Sequence, residues 1–434
     1  MENFDYVVLG AGLGGLAAAA CLTRQGNRVA VFEKHYLPGG CCHTFDYGEY
    51  SFCADVHYIS QCQSDRAIGQ FLNYIERDVA FNSLDPDCID RVIAPGIDFK
   101  IPLGWETFRD RLLITFPEEA IAISRYCDEI EQIHQEIHNL VRSMHWYDRK
   151  LTDWLNLPKY WHLFSKRDWT LQDLYDRVGL SPKLQTILAG QSGDYGLPPK
   201  EIALMTHTSL VWDYSEGAFY PKHHFKHFVD VIVEAIAAGG GKIEYSTPVE
   251  QILVSDGKVR GIIAGGITYH AEKAYISDLD PKLTVELMSN SQELSQRERH
   301  RLTDYEYSAS TFNIYLGLDS RFDPQRYGIG NWNIWYYPTE DLNQEYQQQL
   351  AGNLQHPWIF VSCPTMKSDS PGMAPAGHHV LEIVTVCSYE PFKQLHDRDL
   401  KAYKANKRQV YQDMMTSVRD LIPDIDDYAR MKVY

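Results

Sequence analysis

The chain has 434 residues, 44% hydrophobic and 23% charged, enough for two or three domains with substantial cores. Its formal net charge of -17 argues against nucleic acid as a partner, because an acidic surface cannot displace counterions from phosphates. The nine cysteines are scattered and form no CxxC pair, which suits reduced thiols in a cytoplasmic protein rather than a disulfide framework or a metal site.

Residues 6–23 are uncharged and mostly apolar, nearly the length of a membrane span. Gly10, Gly12, Gly14 and Gly15 fall within this stretch, and the leader "MENFD" is acidic where a signal peptide is basic. No other apolar run is long enough to span, so the chain is expected not to be integral to a membrane. "DYVVLG" reads instead as a buried strand of a parallel sheet, "LAAAACLTRQ" as a helix ended by Gly26, and "NRVAVF" as a second strand with Glu33 at its end. Between the first strand and the helix, "GAGLGG" sets Gly10, Gly12 and Gly15 in G-x-G-x-x-G spacing. Gly10 permits the tight turn, Gly12 lets backbone approach a pyrophosphate, and Gly15 lets helix and strand pack closely. The helix N-terminus offers unpaired N–H groups and partial positive charge to that pyrophosphate. Glu33, 21 positions after Gly12, is placed to accept hydrogen bonds from ribose hydroxyls and to repel a 2′-phosphate.

Gly39-Gly40 follow Glu33 after "KHYLP". This arrangement resembles the extended flavin fingerprint of glutathione-reductase-like enzymes related to amine oxidases and carotenoid desaturases. A simple NAD domain has no need of a second glycine pair there, whereas the longer FAD does. No second G-x-G-x-x-G occurs downstream, so a separate NAD(P)H domain is not expected.

Further along, "DRVIAPGIDFKIPLG" reads as a β-hairpin turning at Pro95-Gly96. A long helix starts near Pro117, with Ile123, Tyr126, Ile130, Ile133, Ile137, Leu140 and Met144 on one apolar face that suits core packing. Residues 142–169 mix seven aromatic side chains, Trp146 to Trp169, with six basic residues against three acidic ones. Such a mixture suits either an aromatic wall of a substrate domain or a peripheral membrane interface. Phe225, Phe228, Val229, Ile232, Val233 and Ile236 mark an amphipathic helix ending in "GGG". It is followed by strands turning at Asp256-Gly257 and by the short strand of "AYISDLDP", all read as a return to the nucleotide domain. Residues 305–318 and 380–387 are expected to be strands of the substrate domain.

"GGCCHTFDYGEYSFCADVHYI", "FPEEAIAISRY", "GDYGLPP", "EGAFYPKHHF" and "SDSPGMAPAGHH" together resemble the retinol saturase and carotenoid isomerase branch of the phytoene-desaturase-like flavoproteins, over nearly the whole chain. The resemblance implies an α/β fold: a Rossmann-like, glutathione-reductase-like FAD domain (1–75 and 220–290) with an inserted α+β substrate domain (76–219 and 291–434). It implies FAD as cofactor, with Gly10, Gly12, Leu13, Gly14, Gly15, Glu33, Lys34, Gly40 and Cys41 around it and Val249 touching the adenine half through its backbone. The departures are Cys53 within a segment usually written FD.G, and His223-His224, where the family carries Gly-Gly; the two histidines at a helix N-terminus are expected to disturb packing near the flavin. The family also ends in a glycine-rich FAD-contacting segment beyond the point where this sequence stops at "DDYARMKVY". The chain is therefore expected to be truncated and to hold FAD weakly.

The reaction class implied is hydride or electron transfer between flavin N5 and a conjugated isoprenoid, with saturation and isomerisation both open. An amine-oxidase-like flavoenzyme and a catalytically degenerate lipid-binding relative are the alternatives. His57 and Tyr58 are candidate proton donors, Tyr195 and His207 weaker ones. The adjacent pair His223-His224 lacks an acidic partner nearby, so no metal is expected.

Overall fold

Alternation fails in "YVVLG" because the strand is covered on both faces: Val7 and Val8 are fully buried and Leu9 nearly so. In the computed structural model this run ends strand β1 (Glu2–Leu9), which leads into helix α1 (Leu13–Arg24) and strand β2 (Val29–Phe32). Residues 2–143 and 160–434 are described. They divide into one unit of residues 2–82, 220–307 and 368–375, and a second of residues 83–143, 160–219, 308–367 and 376–434.

The first unit is built on a six-stranded sheet in the order Val249–Ser255, Lys258–Ala264, Ile267–Ser277, β1, β2, Lys242–Glu244. β1 pairs parallel with both β2 and Ile267–Ser277, so two strands run alongside it in the same direction and end with it. The edge is an antiparallel hairpin closed by Asp256 and Gly257, both at positive φ, as a two-residue turn of this twist requires. Helix His224–Ala238 buries Phe225, Phe228, Val229, Ile232 and Ile236. Gly239 and Gly241 close its end against Thr23 of α1, where an added Cβ would meet the threonine side chain at 2.7 Å. This is the Rossmann-like dinucleotide-binding architecture expected from the sequence.

The second unit holds a seven-stranded mixed sheet in the order Ala429–Val433, Ser310–Leu318, His379–Cys387, Ile359–Ser362, Asn333–Tyr336, Asp90–Ala94, Ile97–Ile101. Every neighbouring pair is antiparallel except Asn333–Tyr336 with Asp90–Ala94. Helix Leu400–Leu421 contributes Val410, Met414, Met415 and Val418 to the same core as Ile314, Leu316, Leu381 and Ile383. The helix expected near Pro117 begins with a 3-10 turn, Pro117–Glu119, and runs on as Ala120–Ser143, with Ile123, Ile130 and Ile133 fully buried.

Two differences from the sequence reading have physical causes. Residues 291–307 lie in the first unit rather than the second, because Tyr305 and Tyr307 donate to the Asp280 carboxylate at 2.8 and 3.1 Å and Lys282 donates to the Tyr305 carbonyl. The strand expected from 305 starts only at Ser310, since those tyrosines are committed to Asp280, the N-cap of helix Pro281–Leu287. Of the aromatic and basic stretch 142–169, residues 144–159 lie outside the described residues. Within the described part Lys166 is buried, ion-paired with Glu129 and 5.7 Å from the Trp169 ring, whereas Trp161 and Phe164 are exposed. Among the described residues no helix is long and apolar enough to cross a membrane.

Leu316 is fully buried in the core of the second unit's sheet. Leu316→Ala is expected to lower unfolding stability by roughly 2–5 kcal/mol, read as a fall in the urea midpoint without loss of the native circular dichroism spectrum.

Candidate functional site

The turn from β1 to α1 is built from backbone. Gly10 takes φ +97, a left-handed value that a side chain would strain, and its N–H donates to the Phe32 carbonyl at 2.8 Å. A Cβ at Gly15 would stand 2.2 Å from the Gly10 carbonyl oxygen, so helix and turn approach each other only because that side chain is missing. Gly12 caps α1 in an extended conformation with no side-chain cap, and no acidic residue lies in the first turn. The first N–H groups of the helix therefore point out of its end without intrahelical partners.

Two further segments close on this turn. The Glu33 carboxylate accepts from the Ala11 N–H at 2.7 Å through Oε2 and from the His35 N–H at 2.8 Å through Oε1. Each oxygen keeps a lone pair for a neighbouring hydroxyl, the arrangement a ribose diol needs. From the other side, the Gly39 N–H donates to the Ala11 carbonyl at 2.8 Å and Gly39 bridges Gly12 in parallel fashion. Gly39 sits at φ +111, and a Cβ on Gly40 would be 3.1 Å from the Gly12 Cα. The second glycine pair is thus the inner wall of the first glycine turn. Thr247 and Ser246 donate to the carbonyls of Glu33 and His35 at 2.8 and 3.0 Å, which brings Val249, two residues further on, to the same end of the sheet. Leu13 is half-buried at the head of α1, and Gly14, Lys34, Gly40 and Cys41 are exposed.

These residues fit a dinucleotide: a glycine cradle that a Cβ would fill, an N-terminal helix end, and a carboxylate fixed by two backbone donors with acceptor capacity left over. One residue of the cradle escaped the sequence reading. Asp278, just past the strand Ile267–Ser277, donates its N–H to the Leu9 carbonyl at 2.8 Å and lays its carboxylate across Gly12 and Gly14. The only signal was its place at the end of a strand parallel to β1.

The proton-donor candidates divide. His57 and Tyr58 are buried in the first unit, just beyond the strand Tyr50–Cys53. Tyr195 and His207, in the second unit, form one chain: the Tyr126 hydroxyl lies 2.9 Å from His207 Nε2 and the Tyr195 hydroxyl 3.1 Å from Nδ1. Burial pushes the His207 imidazole down to about 3 and both phenols up, so the three groups are neutral at physiological pH. Among the described residues no three His, Cys, Asp or Glu side chains are grouped as metal ligands. His224 is buried at φ +70, a backbone value that favours glycine, with Nδ1 3.4 Å from the Thr44 hydroxyl.

A buried polar cluster in the second unit also lay beyond sequence reading. Fully buried Asp90 accepts from Gln191 at 2.7 Å and from Asn333 and Trp335 at 3.0 Å each. Burial pushes its carboxyl up to about 6 despite these donors, and burial pushes the nearby Lys367 ammonium down to about 8. Lys367 donates to Asn333 Oδ1 and, at 2.8 Å, to the Ser362 hydroxyl, with the buried Glu382 also facing it.

Residues 8–75 match the NAD(P)-binding Rossmann-like domain family. All-trans-retinol 13,14-reductase of Danio rerio is 26% identical over 98% of this chain and 73% of its own length. Prolycopene isomerase 1, chloroplastic, of an Oncidium hybrid cultivar is 23% identical over 99% of this chain and 72% of its own. Among solved structures, an oxidoreductase from Methanosarcina mazei superposes on 100% of this chain and 87% of that chain, with a TM-score of 0.66 at 19% identity.

The Asp90 cluster makes the second unit's stability pH-dependent in a defined direction. Because its folded carboxyl titrates near 6 rather than 3.8, the associated stability is present at low pH and is lost as pH rises from about 4 to about 6. Lys367→Met leaves the buried carboxylate without its cation, so it is expected to cost roughly 3–5 kcal/mol at pH 7.5 and clearly less at pH 5, where Asp90 is protonated. Urea unfolding at the two pH values checks this.

Proposed function

The sequence similarity runs to the retinol saturase and carotenoid isomerase branch, and from it we propose that this chain is an FAD-dependent oxidoreductase or isomerase acting on a conjugated isoprenoid such as a carotenoid or retinoid. The observation that carries the cofactor half of this reading is the Glu33 carboxylate, held between the Ala11 and His35 N–H groups at the open end of the glycine turn. A carboxylate in that position suits an unphosphorylated ribose and opposes a 2′-phosphate, which favours FAD over NADP. The Gly39–Gly40 wall adds the depth a longer dinucleotide needs.

FAD, when bound, supplies a two-electron donor or acceptor for the polyene. The chain's part is to hold and orient. Glu33 takes the adenosine ribose, the first N–H groups of α1 take the pyrophosphate, and the backbone around Val249 borders the adenine end. A polyene offers no charged group to grip, so substrate positioning falls to apolar surface and to exclusion of water. His57 and Tyr58, in the same unit as the cradle, are the side chains proposed to deliver a proton where the double bond is saturated. His207, neutral between two tyrosines, is better suited to fixing those hydroxyls than to carrying charge.

The purified protein is expected to bind added FAD, read as quenched flavin fluorescence and a structured visible absorption band. Glu33→Ala is expected to lose at least about tenfold in FAD affinity, equivalent to about 1.4 kcal/mol. An FAD absorption spectrum and fluorescence left unchanged by excess wild-type protein would overturn the flavin reading. In a pigment-producing host, a shift in the polyene profile by chromatography decides substrate class, with a new saturated product marking a reductase and a new geometric isomer marking an isomerase.

A further inference from the structure

The strand Ile267–Ser277 runs parallel to β1 and delivers Asp278 to the start of α1. Its main chain is fixed there by the hydrogen bond to the Leu9 carbonyl. One carboxylate oxygen lies 2.6 Å from the position a Cβ would take at Gly12, the other 2.5 Å from that position at Gly14, and Gly15 is approached at 3.2 Å. The missing side chains of three cradle glycines are therefore the room in which a carboxylate lies. No acidic residue of α1's own first turn is present, so Asp278 is the negative charge brought to the positive end of this helix. A pyrophosphate would use the same N–H groups and the same field. Two anions on one helix end repel each other, and the repulsion grows as water is squeezed from between them.

We propose that Asp278 sets the affinity of the dinucleotide site by acting as an internal anion: its carboxylate rests on the glycine cradle and must turn away before a pyrophosphate-bearing ligand enters. This rests on the cradle being a dinucleotide site and extends that reading to how the site is tuned. The backbone of Asp278 is pinned while its side chain is exposed, so displacement requires only rotation about side-chain bonds. The penalty follows ligand charge. FAD and ADP-ribose, which carry the pyrophosphate, meet it; adenosine does not. Salt screens it, because the carboxylate lies at the surface.

Calorimetric titration of the apoprotein tests this, using wild type, Asp278→Asn, Asp278→Ser and a charge control, Asp256→Asn, in the exposed turn. Both Asp278 variants are expected to bind FAD and ADP-ribose about five- to tenfold more tightly than wild type at low salt. That gain is expected to shrink at about 0.5 M salt, while adenosine binding stays equal and the control follows wild type. Equal or weaker FAD and ADP-ribose binding by the Asp278 variants overturns the proposal, as does a gain that also appears with adenosine. If no variant binds FAD but ADP-ribose binds, the flavin reading fails while the ADP-ribose comparison still decides the role of Asp278. If neither ligand binds any variant, both readings fall.

Discussion

One residue, Ala11, organises the nucleotide-binding unit through its main chain. Its N–H is taken by the Glu33 carboxylate and its carbonyl by the Gly39 N–H, so residues 22 and 28 positions away are fastened to the glycine turn through its two ends. A Cβ on Gly40 would stand 3.1 Å from the Gly12 Cα, so the second glycine pair closes tightly on the turn because it carries no side chain. The glycine turn, the acid at the end of β2 and the second glycine pair are three separate motifs in the sequence. In the folded unit they are one hydrogen-bonded object.

That object explains the chemistry offered at this end of the sheet. Backbone donors face outward from α1, one carboxylate is fixed at the ribose position, and a second, Asp278, lies over the glycines. The first acid is immobilised by two N–H donors and cannot leave; the second has its main chain fixed and its side chain at the surface. The difference between a structural acid and a movable one is therefore a matter of which atoms are bonded, since both residues sit at the ends of the two parallel strands that flank β1. His224 shows a related tension: a left-handed backbone position is filled by a buried histidine, and such strain persists only where surrounding packing holds it.

The second unit follows another principle. Its sheet is antiparallel except at Asp90–Ala94 beside Asn333–Tyr336, and there the buried Asp90 takes donors from Gln191, Asn333 and Trp335, with Lys367 close by. Polar groups so deep are tolerated because they are hydrogen-bonded to one another across the parallel contact. The cost is sensitivity to proton binding, since the carboxyl and the ammonium are both pushed toward neutrality.

Much of the nucleotide unit was legible from local pattern. The buried β-branched run, the glycine spacing, the amphipathic helix from Phe225 and the Asp256-Gly257 turn are short-range signals, each set by sterics or periodicity within a few residues. Residues whose partners lie far along the chain were not legible. Asp278 reaches Gly12 only because Ile267–Ser277 pairs with β1, Asp90 meets Asn333 across 243 positions, and Lys166 turns inward because Glu129 offers it a counter-charge. Nothing in "SDLDP" or "CIDRV" announces such a neighbour. The sequence by itself determined the elements and the family of the fold, because those depend on each residue's own geometry and its near neighbours. Tertiary structure alone decided which charged groups meet, because a carboxylate's role is set by the donors and anions that distant strand pairing brings to it.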